Sequence, residues 1–316
     1  MLVHAIAAMT LTMTTSKLDR FEYSQIHMGV RVSVAMYAPD AETAQGAARA
    51  VFEKFAALEE IMSDYRADSE IMRLCAATPG ESYPVSEDLF RVLDRSQDMS
   101  KRSGGAFDVT VGPLVRLWRE ARKTKVLPSP ESLTRARDLV GWGLLHVDAD
   151  SRTVRLDRPG MRLDLGGIAK GYACDRGLEV LSKMGIDRAM IEAGGDIAAS
   201  GAPPGKLGWR IDVQGLVAPL YLKNQGISTS GDANQFVVIG GKRYSHILDP
   251  ATGLGLTDRK QVTVLAPDAT TSDSLATACS VLGDEQGRIL AEQYGAKLIA
   301  IVRAGSGSAG RILLQE

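Results

Sequence analysis

Aromatic residues are scarce, at 5% of the 316-residue chain, so any large core must be built from aliphatic side chains. Cysteine is scarcer still. Cys75, Cys174 and Cys279 form no CxxC pair and no metal-ligand spacing, and an odd count excludes a complete disulfide framework. They are expected as buried free thiols. No sign of charge dominates: 37 Lys and Arg face 38 Asp and Glu, for a net charge of −1. The chain as a whole therefore has no field that draws nucleic acid or a membrane surface, and no nucleic-acid partner is expected. Long hydrophobic runs are also missing, so no transmembrane span is expected. The opening MLVHAIAAMTLTMTT has no basic segment before its apolar stretch and no cysteine to carry a lipid. Residues 1–20 read as an N-terminal arm or the remnant of a weak export signal.

What is present is ordinary except for glycine. Apolar residues at 45% and charged residues at 24% exclude a disordered tail, a disulfide scaffold or a fibrous repeat. Of the 32 glycines, 23 fall between residues 104 and 255. A regional excess without low complexity points to tight turns and close backbone approaches in that region.

Periodicity gives the coarse organisation. Val30, Val32, Val34 and Met36 alternate with smaller or polar residues, which predicts a strand over 30–38. Residues 41–62 carry apolar side chains at helical spacing behind Asp40, a capping residue. Further helices are expected from Ser86 to about Arg102, from Ser129-Pro130-Glu131 onward, from Ala169 to Met184, from a Ser272 cap to about Leu282, and over 284–294. Short strands are expected at 146–148, 153–156 and 161–165, with more across 189–265. The end of the chain, KLIAIV and RILLQ around a Gly/Ser turn, reads as a hairpin. Clustered strands with irregularly interspersed helices predict an α+β fold with mixed or antiparallel sheets and packed helices. Without repeats or linkers, residues 21–316 read as a single catalytic unit.

Four stretches combine turn formers with chemistry-bearing side chains. In SGGAFDVTVGPLVRLW (103–118), Asp108 stands among apolar residues and must be hydrogen-bonded or meet a ligand; the plain reading is a turn followed by a buried strand. In LDLGGIAKGYACD (163–175), Asp164 precedes a Gly166-Gly167 turn into a helix, whose start offers bare N–H groups and a positive dipole end. Lys170 in the first turn makes sense if an anion sits there, whereas the plain alternative is an exposed lysine. The stretch matches neither GxxxxGK[ST] nor GxGxxG. In 227–253, His246 lies between a strand and the Asp249-Pro250 turn, a candidate general base. Asp273 and Thr277 are four apart on one helix face, a hard-oxygen pair suited to Mg²⁺; the plain alternative for Asp273 is a helix cap.

Taken together these stretches resemble the ApbE family of FAD:protein FMN transferases. The pieces stand in the family's order: Met28-Gly29, MSDY (62–65), GAFDVTVGPLVRLW, LDLGGIAKGYACD, Gly194-Gly195-Asp196, STSGD (228–232), YSHILDPATG and TSDSLATA. The resemblance implies an ApbE-like, T-fold-related architecture and Mg²⁺-dependent cleavage of FAD. FMN passes to a Thr or Ser hydroxyl of an acceptor protein as a phosphoester, and AMP leaves. It implies FAD contacts at Met28, Tyr65, Ala106, Phe107, Asp108, Asp164, Lys170 and Ile247. Metal contacts are implied at Asp273, Thr277 and the Gly167 carbonyl, and a catalytic role at His246 and Asp273. The implied partner is a membrane or periplasmic redox subunit, and the implied place of work is the periplasm or the outer face of the cytoplasmic membrane.

Three stretches depart from the family pattern. Val30 replaces a threonine, Arg119-Glu120 replaces Gly-Phe after Leu117-Trp118, and Ala233 replaces an aromatic residue. The first two are expected to affect packing, the third the flavin contact or partner choice. Two alternatives use the same residues: a metal-dependent FAD pyrophosphatase giving FMN and AMP, and a non-catalytic FAD-binding protein.

Overall fold

The computed structural model describes residues 17–231 and 235–303. Most of the N-terminal arm, Ala233 and the second strand of the expected C-terminal hairpin lie outside those residues. In chain order the elements begin with β1 (Asp19–His27), β2 (Val30–Ala38), α1 (Ala41–Met62), α2 (Glu70–Ala76), β3 (Tyr83–Pro84) and α3 (Glu87–Arg102). Next come α4 (Gly112–Thr124), α5 (Pro130–Arg137), β4 (Leu145–Asp148), β5 (Thr153–Leu156), α6 (Ala169–Lys183), β6 (Ala189–Ala193) and β7 (Asp196–Ala199). The rest are β8 (Trp209–Ile211), β9 (Leu220–Leu222), β10 (Gln225–Gly231), β11 (Phe236–Ile239), β12 (Lys242–Ser245), β13 (Lys260–Ala266), α7 (Ala269–Leu282), α8 (Asp284–Gln293) and β14 (Lys297–Arg303).

The main sheet has seven strands in the order β1-β2-β6-β7-β10-β13-β14. Every neighbouring pair is antiparallel, as in an α+β fold. The alternation seen in 30–38 is realised in β2: Val32, Val34 and Met36 face a core shared with α1, α6 and α7, while Ala35 faces the other side. Phe55 and Leu58 of α1 are fully buried in that core. Burying side chains of this size stabilises the fold by roughly 2–3 kcal/mol each. The opposite face of the sheet is covered by the β8–β9 hairpin through Trp209 and Leu222. A third cluster joins α4 and α5 to the β11–β12 hairpin through Leu114, Trp118, Val237, Tyr244 and Leu248.

The expected helix limits hold where a capping side chain marks them: Asp40 accepts from the Thr43 N–H, Ser86 from Leu89 and Ser129 from Ser132. Two strand expectations fail. Residues 103–111 turn rather than extend, because Asp108 Oδ1 accepts from both the N–H (2.8 Å) and the hydroxyl (2.6 Å) of Thr110. Such a local side-chain bond replaces a strand ladder. Residues 161–165 bury Met161, Leu163 and Leu165 as a strand would, but meet only an isolated bridge between Val111 and Arg162.

α7 starts earlier than expected. Asp268, not Ser272, is its cap, accepting from the Thr271 N–H at 2.7 Å. Asp175 of α6 accepts from the N–H groups of Ala269 (3.0 Å) and Thr270 (2.8 Å), pinning α7 to α6. Glycines make the approach possible. A Cβ on Gly171 of α6 or on Gly226 of β10 would overlap the Ala269 backbone. Ser272 is therefore a buried interior residue, bonded to Ser228 of β10 at 2.8 Å. Cys174 and Cys279 are buried free thiols and Cys75 a partly buried one. Among the described residues no helix is long and apolar enough to cross a membrane.

Candidate active site

The close packing of α6 against α7 sets the geometry. Lys170, in the first turn of α6, points its ammonium between two carboxylates: Asp196 Oδ2 at 2.5 Å and Asp273 Oδ2 at 3.5 Å. Asp273 Oδ2 also accepts from the Gly171 N–H at 3.0 Å. Both carboxylates are almost fully buried. Burial, followed by the charge of Asp196, raises the Asp273 carboxyl above its ordinary range; Lys170 and the Gly171 N–H offset part of that rise. For Lys170, burial disfavours the ammonium, but Asp196 and Asp273 outweigh it and keep the proton on. Neither plain alternative survives: Asp273 is not the cap of α7, and Lys170 is not an exposed lysine.

One turn beyond Asp273, Thr277 meets the glycine turn. A Cβ on Gly167 would lie 2.9 Å from Thr277 Oγ1 and 3.3 Å from the Phe107 ring. The structure thus brings Gly167, Lys170, Asp273, Thr277 and Phe107 together. All their oxygen donors are hard, and two carboxylates against one ammonium leave the cluster one negative charge in excess. Among the described residues no group of three or more His, Cys, Asp and Glu side chains is placed to hold a metal. An ion here must draw on the hydroxyl and the backbone carbonyl.

Part of the expected row of bare N–H groups at the start of α6 is already bonded. Gly166 N–H donates to Asp164 Oδ1 at 2.8 Å, and the N–H groups of Ile168 and Ala169 donate to the Leu165 carbonyl. The chain partly closes its own helix start, and the anions beside Lys170 are the protein's own carboxylates.

A second cluster borders the same turn. Asp164 Oδ2 pairs with Arg119 Nη2 of α4 at 3.2 Å, and Arg119 Nη1 pairs with Asp64 at 2.5 Å. The guanidinium carbon lies 4.0 Å from the centroid of the Tyr65 ring, a side chain 78% exposed. Burial raises the Asp164 carboxyl, as does the nearby Asp64 charge; the Gly166 N–H and Arg119 work in the opposite direction. The Asp164 N–H bonds the Val109 carbonyl at 2.8 Å and so ties this segment to the turn carrying Ala106, Phe107 and Asp108. Asp108 is raised by burial against its Thr110 bonds.

The remaining predicted residues stand on other elements, outside the two clusters. Met28 occupies the left-handed region (φ 51°) in the β1–β2 turn, and its N–H bonds Glu59 at 3.2 Å. That turn shares an end of the sheet with the Gly194-Gly195 turn before Asp196, since Val32 pairs with Ala193. His246 follows β12 with its Nδ1 3.1 Å from the Gln235 carbonyl oxygen. A carbonyl only accepts, so Nδ1 carries the proton of that bond. Ile247 is buried, and Leu248 packs on α4.

The ApbE family profile matches residues 28–302. The chain belongs to the ApbE family. It is 36% identical over 267 residues to a FAD:protein FMN transferase of Vibrio cholerae, covering 79% of this chain and 78% of that one. It is 31% identical over 322 residues to one of Treponema pallidum, covering 92% and 89%. The solved flavin transferase ApbE from Vibrio cholerae superimposes with a TM-score of 0.82 at 31% identity, over 93% of this chain and 96% of that one. An ApbE protein from Thermotoga maritima gives 0.82 at 29% identity, over 94% and 97%.

Within this ApbE-family fold, sequence reasoning missed three side chains. Asp196 stood in the Gly-Gly-Asp run and Asp64 in MSDY, but neither was assigned a role. Arg119, expected to affect packing, is the ion-paired centre of the second cluster.

Proposed function

We propose that this chain is a FAD:protein FMN transferase that uses Mg²⁺. Its membership of the ApbE family and the names of its relatives support the activity. The observation that carries the reading is the convergence of Asp273, Thr277 and Gly167 beside Lys170 at the start of α6. A carboxylate, a hydroxyl and a backbone carbonyl in a pocket of excess negative charge fit a hard divalent cation. Mg²⁺ held there supplies charge neutralisation at the pyrophosphate of FAD.

The chain's own residues take the other parts. Lys170 keeps its proton and remains a cation beside the phosphates. Phe107, set by the Ser103 hydroxyl bond to its N–H at 3.1 Å, closes one wall. Met28, Tyr65, Ala106, Asp108, Asp164 and Ile247 line FAD. The acceptor's Thr or Ser oxygen bonds to the FMN phosphorus, and the bond from that phosphorus to the bridging oxygen breaks. AMP leaves with the bridging oxygen. The hydroxyl proton passes to His246 Nε2, with Nδ1–H held by the Gln235 carbonyl. The acceptor is a redox subunit on the outer face of the cytoplasmic membrane or in the periplasm.

The test is to incubate the protein with FAD, Mg²⁺ and a redox subunit whose Thr or Ser acceptor hydroxyl is still unmodified, then weigh the acceptor. The expected result is one FMN per acceptor and one AMP released. Asp273→Ala is expected to keep FAD binding and lower transfer about a thousandfold. An unmodified acceptor with FAD bound overturns the reading, and free FMN formed at full rate without acceptor replaces it with a pyrophosphatase.

A further inference from the structure

Arg119 stands where the family pattern has glycine, and its surroundings are unusual for a helix-surface arginine. It projects from the second half of α4 and is three-quarters buried. Its two terminal nitrogens are spent on Asp64 and Asp164, carboxylates from two different loops. Its Nε is buried and has no acceptor among the described residues. The guanidinium is therefore held by the two carboxylates and by the Tyr65 ring beneath it, not by saturation of its donors. Tyr65 is 78% exposed although one face of its ring is covered by the guanidinium at 4.0 Å. The opposite face must then lie open to water.

We propose that Arg119 is a positioning residue that holds Tyr65 as a fixed platform, whose open face stacks a planar heteroaromatic ring of FAD. The proposal rests on the reading of Tyr65 and Asp164 as FAD-contacting residues. An exposed tyrosine free to change rotamer loses that freedom when a ligand stacks on it. Arg119 removes the freedom before the ligand arrives, which improves affinity without touching the phosphoryl step. Lysine at this position keeps one ion pair but cannot pair both carboxylates and present a flat cation to the ring.

The test uses the full chain and measures FAD affinity and transfer kinetics for wild type, Arg119→Met, Arg119→Lys, Tyr65→Ala and the two double variants. Arg119→Met is expected to raise Kd and KM for FAD about tenfold with kcat changed by less than about twofold. Arg119→Lys is expected to fall between the two. In the Tyr65→Ala background either Arg119 change is expected to add less than about twofold, the signature of two residues acting as one unit. Should Arg119→Met fail to fold, the lysine cycle reads the same coupling. Undiminished effects in the Tyr65→Ala background overturn the proposal, since Arg119 then acts through its charge alone. A loss of kcat at unchanged KM overturns it as well. Binding of FMN and of ADP to wild type and Tyr65→Ala identifies the stacked ring by which one weakens; if neither weakens, there is no platform. Wild type that binds no FAD overturns the reading of the site, whereas Arg119 variants that bind FAD as wild type does overturn only the platform.

Discussion

Two clusters border the Gly166-Gly167 turn, and each sets one basic side chain between two aspartates. Lys170 stands between Asp196 and Asp273, Arg119 between Asp64 and Asp164. The difference lies in depth and in the shape of the cation. Asp196 and Asp273 are 4% and 6% exposed, while Asp64 and Asp164 are 19% and 14% exposed. The inner cation is a compact ammonium, the outer one a flat fork that also covers a ring. The inner arrangement concentrates excess negative charge where little water screens it, which suits a divalent cation. The outer arrangement carries the same charge count nearer the surface and leaves an aromatic face in solvent, which suits a flat ligand.

The largest expected effect comes from removing the inner cation. Lys170→Met leaves two buried carboxylates facing each other without a counter-charge. Breaking a buried pair in this way costs about 4 kcal/mol. Urea unfolding at neutral pH without divalent cations is expected to show that loss, and millimolar Mg²⁺ to recover part of it. A loss below about 1 kcal/mol means that water reaches the inner cluster as freely as the rim, and the comparison breaks.

The inner cluster also shows what the sequence could and could not tell. Asp273 and Thr277 were legible as a pair because a helical spacing of four is a local property. The start of their helix was misread, since DATTSDS offers both Asp268 and Ser272 as caps, and only the packing of α7 on Gly171 and Gly226 selects the first. Lys170 was legible as an oddity in a first turn. Its true partners come from β7 and α7, far along the chain, and no local pattern announces them. The segments 103–111 and 161–165 alternate like strands, yet a strand needs an unfilled ladder beside it, and Asp108 bonds Thr110 instead. Arg119 was noticed only as a departure, because its meaning depends on three residues that the fold brings to its helix from two loops.

Asp175 sharpens the comparison from another side, as a buried carboxylate whose bonded donors are neutral. Burial pushes it up to about 6, and the Asp268 charge adds to the rise against the donors from Ala269 and Thr270. The unfolded chain releases this proton near 3.8, so between those values the native state binds more protons than the unfolded one. Stability from this group is complete below about pH 4 and is lost as pH rises through about 6, a change on the order of 3 kcal/mol. Thermal unfolding followed from pH 4 to 7 is expected to show that decline, and Asp175→Asn to flatten it. An identical slope in the variant assigns the pH dependence to another group.

The smallest expected effect is the one that tests the two clusters head to head. Arg119→Met removes the same formal charge as Lys170→Met and leaves a similar pair of aspartates. At the rim those carboxylates are less buried, so water and salt screen them more than the inner pair, and what is lost is two partly buried ion pairs and one cation–π contact, about 2 kcal/mol in all. Urea unfolding of the two methionine variants under one buffer is expected to place Arg119→Met well below Lys170→Met, and raising the salt is expected to shrink the Arg119 effect first. Equal losses would mean that depth does not separate the clusters, and that the rim, like the inner cluster, holds charge the fold cannot screen. The expected inequality leaves the flat shape of the guanidinium, rather than its charge, as the property that distinguishes Arg119 at the rim.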